Sequence, residues 1–220
     1  MPTVGFLHTA RIHVPTFRTL LRQIAPTAFD VHLVDAELLA HARRRGIDAT
    51  VRQHLLHRLH QLAGQHADVV VCTCSTLSHD AEQLTPLVRV PMLRIDRPMA
   101  TAAVAAGGRV AIVATMTSTL APTRQLLEQC AVAAGSGAVI VDAPCVDAWA
   151  LFEAGDHEGY LARVARHVRD IARRGNVDVI VLAQASMAPV AARLPDVTLP
   201  VLSSPRLAVQ RAVALATDGC

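Results

Sequence analysis

Residues 69–79 read VVVCTCSTLSH, and residues 179–187 read VIVLAQASM. Each is a short apolar run that breaks into small polar residues, and each follows an aspartate. The two align without a gap, Asp68-Val-Val-Val-Cys-Thr-Cys74 against Asp178-Val-Ile-Val-Leu-Ala-Gln184. Short apolar runs bounded by turn formers and alternating with helical patterns read as parallel strands buried on both faces. Similarity at so long a separation means that one unit is written twice, and this decides the fold.

The repeat extends in both directions. VGFLHT (4–9) is followed by Pro15-Thr16 and Leu20-Leu21, and VAIVAT (110–115) by Pro122-Thr123 and Leu126-Leu127. In each copy an apolar run ends in threonine and a proline opens a helical pattern, where its missing N–H costs nothing. Val51, Leu55, Leu59 and Leu62 recur at helical spacing in the first half; Leu161, Val164, Val168 and Ile171 do so in the second. A short strand introduced by proline follows each time, VPMLRI from Val90 and LPVLSS from Leu199. The reading is therefore α/β, with two pseudo-symmetric Rossmann-like lobes, each a βαβαβ-type unit of parallel strands with right-handed crossovers. The first lobe is expected to comprise residues 1–95 plus 205–220, the second residues 96–204. Two such lobes would face each other across a cleft, with ligand beyond the carboxyl ends of the strands. That expectation gathers Thr9, Cys74, Thr115 and Gln184 around one cavity.

Composition narrows the function class. Of 220 residues, 52% are hydrophobic, only 18% charged and 3% aromatic, so Ala, Val and Leu must fill the core. The formal charge is +3, and the densest basic run, Arg43-Arg44-Arg45, has no aromatic beside it. It reads as a solvated helix end, and no nucleic acid partner is expected. No apolar run reaches the ~18 residues of a membrane span. The opening MPTVGFLHTA lacks a basic stretch before its apolar run, so no signal peptide is expected. Five cysteines without metal or redox spacing fit a reducing, cytoplasmic setting. No Gly-rich phosphate loop is present. Uncharged, Ala-rich helix faces suit a homo-oligomer.

The stretches VVVCTCSTLS, IDRPMATAAVAAGGRVAIVAT, TMTSTLAPT, VIVLAQASM and PVLSSPR, in this order and spacing, resemble the aspartate/glutamate/hydantoin racemase superfamily over essentially the whole chain. The resemblance implies two pseudo-symmetric lobes with the active site between them and a small carboxylate or carbonyl substrate. It also implies one cysteine per lobe. One thiolate takes the proton from the carbon next to a carboxylate or carbonyl, and the other thiol returns one on the opposite face, without PLP, metal or other cofactor. Cys74 matches the first cysteine; the second falls on Gln184. A carboxamide has no acid–base chemistry near neutral pH, although it donates and accepts hydrogen bonds. A plain two-cysteine racemase is thereby excluded unless another residue substitutes.

Each candidate also has a plainer reading. Cys74 is expected at a strand end before a helix start, which suits a reactive thiol; a lone cysteine is otherwise ordinary core. Ser75, Thr76 and the loop Thr117-Ser118-Thr119 are candidates for holding a carboxylate or enolate oxygen, and equally for helix capping. Thr9 and Thr115 would line the floor, with Ala185 and Ser186 completing the pocket after Gln184. His8 could supply the missing acid or base, but reads first as a satisfied structural histidine. Cys72 reads as packing, and Cys130, Cys145 and Cys220 as incidental. His54, His57 and His60 fall largely off the apolar helix face and read as solvent-facing; His79-Asp80 belongs inside a helix. Trp149, Phe152 and Tyr160 are either specificity residues or packing. Three reactions fit: racemisation with a substitute base, one-cysteine decarboxylation of the arylmalonate type, and thiolate addition as in maleate isomerases. A small-carboxylate sensor that keeps the cleft without turnover is the alternative of another class.

Overall fold

The structure, a computed structural model, describes residues 1–218, so that Cys220 lies outside the described residues. The chain divides into two compact units, Met1–Ile95 joined by the chain from Pro205 onward, and Asp96–Ser204. In the first unit, strands β1 (Thr3–His8), β2 (Phe29–Val34), β3 (Val69–Cys72) and β4 (Met92–Arg94) form a parallel sheet in the order β2-β1-β3-β4. In the second, β5 (Arg109–Val113), β6 (Val139–Asp142), β7 (Val179–Leu182) and β8 (Val201–Ser203) repeat it as β6-β5-β7-β8.

Each sheet thus has four strands, where the periodicity suggested three per half. The additional strands, β2 and β6, lie at the sheet edges and are only partly buried. FDVHLV mixes charge and imidazole into its apolar pattern, as an edge position permits. The central strands β3 and β7 are buried throughout, which is why they read so clearly.

Helices α1 (His13–Ile24), α2 (Ala36–Arg45), α3 (Ala49–Gly64) and α4 (Ser75–Gln83) follow the strands of the first unit. The stripe Val51, Leu55, Leu59 and Leu62 of α3 is fully buried and packs with Leu7, Val70 and Leu77 in one core. Asp35 and Asp48 cap α2 and α3 by accepting N–H bonds of their first turns. In the second unit, α5 (Arg97–Ala106), α6 (Leu120–Ala133), α7 (Trp149–Glu153) and α8 (His157–Arg174) surround the sheet. Val164 and Val168 of α8 pack with Ile180 and Leu182 of β7 in a second core. Helix α9 (Ser204–Asp218) closes the described chain. The segment after β7 is not a regular α-helix: Ala185–Arg193 is a 3-10 helix with Pro189 inside it. Proline has no N–H for an i−4 bond, so a regular α-helix is penalised there.

One device sets the register in both units. Asp68 donates its backbone N–H to Thr3 O (2.9 Å), while its carboxylate accepts Thr3 N–H (2.7 Å). Asp178 does the same to Arg109, at 2.8 Å and 2.7 Å. At the far end Thr73 N–H meets Leu7 O (3.0 Å) and Ala183 N–H meets Val113 O (2.9 Å). The tips of β1 and β3, and of β5 and β7, are therefore level.

Gly107 makes room for the second clamp. A Cβ there would stand 2.5 Å from Asp178 Cβ and 3.1 Å from Val179 Cγ2, so the clamp or the strand must shift. At Gly64, near the end of α3, a Cβ would meet nothing within 4 Å. Gly107→Ala is expected to lower unfolding stability by about 1–3 kcal/mol through overpacking. Gly64→Ala is expected to be neutral or to raise it by no more than about 1 kcal/mol. Chemical denaturation of both variants checks the contrast, and equal stability of the two would contradict it.

Candidate active site

In a sheet ordered β2-β1-β3-β4 the direction of chain winding reverses between β1 and β3. Ligands of open α/β sheets collect beyond the strand ends at this reversal. The first unit places His8 and Thr9 there from β1, with Thr73 and Cys74 from β3. The second places Ala114 and Thr115 from β5, with Ala183 and Gln184 from β7.

At the first corner Cys74 is the residue that precedes α4, in an extended conformation, and its side chain does not cap the helix. Its carbonyl accepts Leu77 N–H (3.1 Å) and Ser78 N–H (2.9 Å), so the N–H groups of Ser75 and Thr76 come before the first rung of the ladder. The Ser78 hydroxyl reaches both Cys72 O (3.1 Å) and Cys74 O (2.8 Å), tying the strand end to the first turn of the helix. Cys74 is 8% exposed, whereas Cys72 is sealed in the core. Ser75 and Thr76 are partly exposed. The thiol thus stands at the start of a helix.

Behind this corner lies a buried polar chain. His8 has no exposed surface. Its Nδ1 meets Thr73 Oγ1 at 2.9 Å and its Nε2 meets His32 Nδ1 at 2.8 Å; His32 Nε2 meets Asp30 Oδ2 at 2.7 Å. Arg18 completes the chain on the same Asp30 oxygen at 2.7 Å. Burial pushes His8 down to about 3, with the neighbouring His32 and His13 acting in the same direction. His32 Nε2 bonds Asp30, His8 bonds His32 Nδ1 through Nε2 and the Thr73 hydroxyl through Nδ1, and that hydroxyl donates to Leu7 O (2.9 Å). Phe6 and Phe17 pack against these rings. This is the geometry of a satisfied histidine, with neither nitrogen left for a ligand. The corresponding positions in the second unit hold Ala114, Ala183 and Asp142, so the fold itself does not require the chain.

At the second corner Gln184 occupies the place of Cys74, as the residue preceding the 3-10 segment, and it is also 8% exposed. Its Oε1 accepts both Thr115 N–H (2.7 Å) and the Thr115 hydroxyl (2.9 Å). Thr9, the equivalent of Thr115, makes no such bond to Cys74. Gln184 O takes Met187 N–H (3.0 Å), leaving the N–H groups of Ala185 and Ser186 ahead of the ladder. Ser186 Oγ is 2.9 Å from the Tyr160 hydroxyl, whose phenol burial pushes up while the Ser186 and Thr115 hydroxyls oppose the shift. Phe152 stacks on Trp149 and meets Tyr160 edge-on. The aromatic group seen in the sequence is thus one cluster, and its tyrosine reaches the corner.

Thr117 and Ser118 are exposed, and Thr119 turns its hydroxyl to Met116 O (2.7 Å). Burial pushes the Cys145 thiol up to about 11, and Cys130 lies 3.8 Å from Thr101 Oγ1. His54 pairs with Asp35 (2.9 Å) and His60 with Leu87 O (2.8 Å), while His57 is exposed. His79 meets Gln83 (3.0 Å) within α4, and Asp80 pairs with Arg52 (2.8 Å). Thr73, His32 and Asp30 were not among the sequence candidates. Thr73 was hidden between two cysteines, and His32 and Asp30 lie on the strand whose pattern was weakest.

A family model described as Asp/Glu/Hydantoin racemase matches residues 14–212. The chain belongs to this family. Among solved structures it is similar to an aspartate racemase from Picrophilus torridus, at 13% identity over 99% of this chain and 95% of that one, with a TM-score of 0.76. It is also similar to an allantoin racemase from Klebsiella pneumoniae (19% identity, 100% and 89% covered, TM-score 0.67). A glutamate racemase from Francisella tularensis, solved with D-glutamate, matches at 15% identity (99% and 82% covered, TM-score 0.71). At such identities these likenesses establish the two-sheet fold. No curated protein sequence matches the chain. Membership of the Asp/Glu/Hydantoin racemase family supports a racemase- or isomerase-like enzyme of small carboxylates. Among the described residues no helix is long and apolar enough to cross a membrane.

The buried histidines make stability acid-sensitive. His8, His13 and His32 are all held below the ordinary histidine value of 6.5, chiefly by burial, His8 down to about 3. Between those limits the unfolded chain binds more protons than the folded one. Stability is therefore full above 6.5 and falls as pH drops toward 3, by at most about 1.4 kcal/mol per pH unit for each histidine. The unfolding midpoint is expected to fall between about pH 7 and about pH 5, less steeply in His8→Leu. An identical pH slope in His8→Leu would show that His8 is not held neutral.

Proposed function

We propose that the chain is a cofactor-independent enzyme that moves a proton at the carbon next to a carboxylate or carbonyl of a small molecule, with Cys74 as its one proton-transfer group. The observation that carries this reading is the pair of residues at the two equivalent corners, a thiol in one unit and a hydrogen-bonded carboxamide in the other. A thiol near neutral pH both gives and takes a proton; a carboxamide does neither. His8 is a poor substitute, being sealed from solvent, engaged at both nitrogens and held neutral by burial.

This favours chemistry from one face. In a proton-exchange reaction Cys74 thiolate removes the α-proton, the electron pair spreads onto the carboxylate or carbonyl oxygen, and the same thiol returns a proton to that face with retention; an isomer forms only where the proton is returned to another atom of the delocalised anion. In a decarboxylation the bond from the α-carbon to one carboxylate breaks, carbon dioxide leaves, and the pair remains as an enediolate. The Cys74 S–H then protonates the carbon, and the thiolate regains a proton from water. Thiolate addition of the maleate isomerase kind, which uses both cysteines, fits less well. The Ser75 and Thr76 N–H groups ahead of the α4 ladder suit the anionic oxygens in either case.

Cys74 is expected to alkylate faster than Cys72, Cys130 and Cys145 in a Cys220→Ser background, and a bound dicarboxylate should slow that reaction alone. Mass-spectrometric mapping of iodoacetamide labelling measures both. Cys74→Ala should lower turnover of the best substrate from a panel of 2-substituted acids and malonates by about a thousandfold or more. Uniform, slow labelling of the four thiols would overturn the catalytic role. Intact ligand affinity in Cys74→Ser with no turnover in either protein would instead indicate a sensor.

A further inference from the structure

Gln184 is more than nine-tenths buried, yet half of its carboxamide is unused. The Thr115 N–H can only donate, so the atom it meets at 2.7 Å must be the amide oxygen. The Thr115 hydroxyl, donating to the same atom at 2.9 Å, fills its second lone pair. The amide is thereby held one way round, with Nε2 turned away from Thr115. That nitrogen makes no hydrogen bond among the described residues. Nor is it shut away, because the single wholly buried, unpaired side-chain nitrogen or oxygen among the described residues is Thr123 Oγ1. Two N–H bonds are therefore presented at the tip of β7 with no acceptor in the described chain.

The adjoining backbone offers the same polarity. The 3-10 segment begins at Ala185, and its first rung is Met187 N–H to Gln184 O. The Ala185 and Ser186 N–H groups precede that rung, at a helix start whose dipole favours anions. The Ser186 side chain is anchored to buried Tyr160. In the first unit the equivalent residue is a thiol, which has no such oxygen for Thr9 to hold.

We propose that Gln184 Nε2, with the Ala185 and Ser186 N–H groups, forms an oxyanion-binding site that takes a carboxylate or enolate oxygen of a small anionic ligand. The site rests on the one-thiol reading for the identity of its ligand as substrate; its geometry belongs to the second unit alone. Gln184→Glu keeps the shape and replaces the N–H donors by a second carboxylate oxygen, so it should repel what the native side chain holds.

The test uses the whole protein labelled with ¹⁵N at glutamine side chains, the Gln184 signal being assigned by its loss in Gln184→Glu. Malonate is the probe and ethylammonium the cationic control, at constant ionic strength. The Gln184 amide protons are expected to move downfield saturably with malonate and to ignore ethylammonium. Gln184→Glu should weaken malonate binding by about tenfold or more, as expected for losing hydrogen bonds to a charged group. Thr115→Val, which keeps the backbone bond, should weaken it by less. If Gln184→Glu does not fold, the wild-type titration and Thr115→Val still decide, the signal then being assigned by its change in Thr115→Val. A Gln184 signal that malonate leaves unmoved, or that both probes move equally, overturns the site, as does undiminished affinity in Gln184→Glu. Malonate should shift the amide equally in Cys74→Ser. Failure of the catalytic reading would therefore leave this result standing, and failure of the site would leave thiol-dependent turnover in place.

Discussion

The pairing register of two strand couples, β1 with β3 and β5 with β7, is the constraint on which both corners depend. An aspartate at the start of the second strand closes two hydrogen bonds on the first residue of its neighbour, Asp68 on Thr3 and Asp178 on Arg109. Because a one-residue slip would turn every side chain to the other face, this clamp decides which residues reach the tips. It sets Cys74 level with Thr9 and Gln184 level with Thr115. The four-strand order then makes that place the point where the winding reverses, where ligands of open α/β sheets collect.

On this shared frame the two units have built different chemistry. The first keeps its thiol out of the helix cap at the start of α4 and backs it with a buried chain from Thr73 through His8 and His32 to Asp30. The second replaces the thiol by an amide fastened to Thr115 and fills the positions of His8 and Thr73 with alanine. Gln184 is therefore more than a lost cysteine. Two hydrogen bonds to its oxygen give it one orientation, and that orientation leaves donors, not acceptors, for whatever binds.

The fold was legible because it is written twice. VVVC and VIVL are buried on both faces, and Leu55, Leu59 and Leu62 form a clean helical stripe, so periodicity matched burial. The edge strands escaped notice because FDVHLV needs only partial burial and carries Asp30 and His32 for the polar chain. Pro189 marks the segment after Gln184, but the residue pattern alone did not tell a 3-10 helix from an α-helix. At the site, residue type and strand position were enough to single out Cys74 and Gln184. Partners were not: nothing in the order of residues tells that Thr115 holds Gln184, or that His8 spends both nitrogens on Thr73 and His32. Such contacts join residues 24 to 69 positions apart and exist only once the sheets have formed.

A chain whose one proton-transfer group is the Cys74 thiol should exchange protons with one face of its substrate. The most direct measurement is turnover in D₂O of a racemic or prochiral 2-substituted acid, with the α-carbon followed by mass spectrometry and chiral chromatography. Deuterium entering in a single configuration, lost in Cys74→Ala, is the predicted result. Equal deuteration of both enantiomers with clean racemisation would require a second proton-transfer group and would contradict the account.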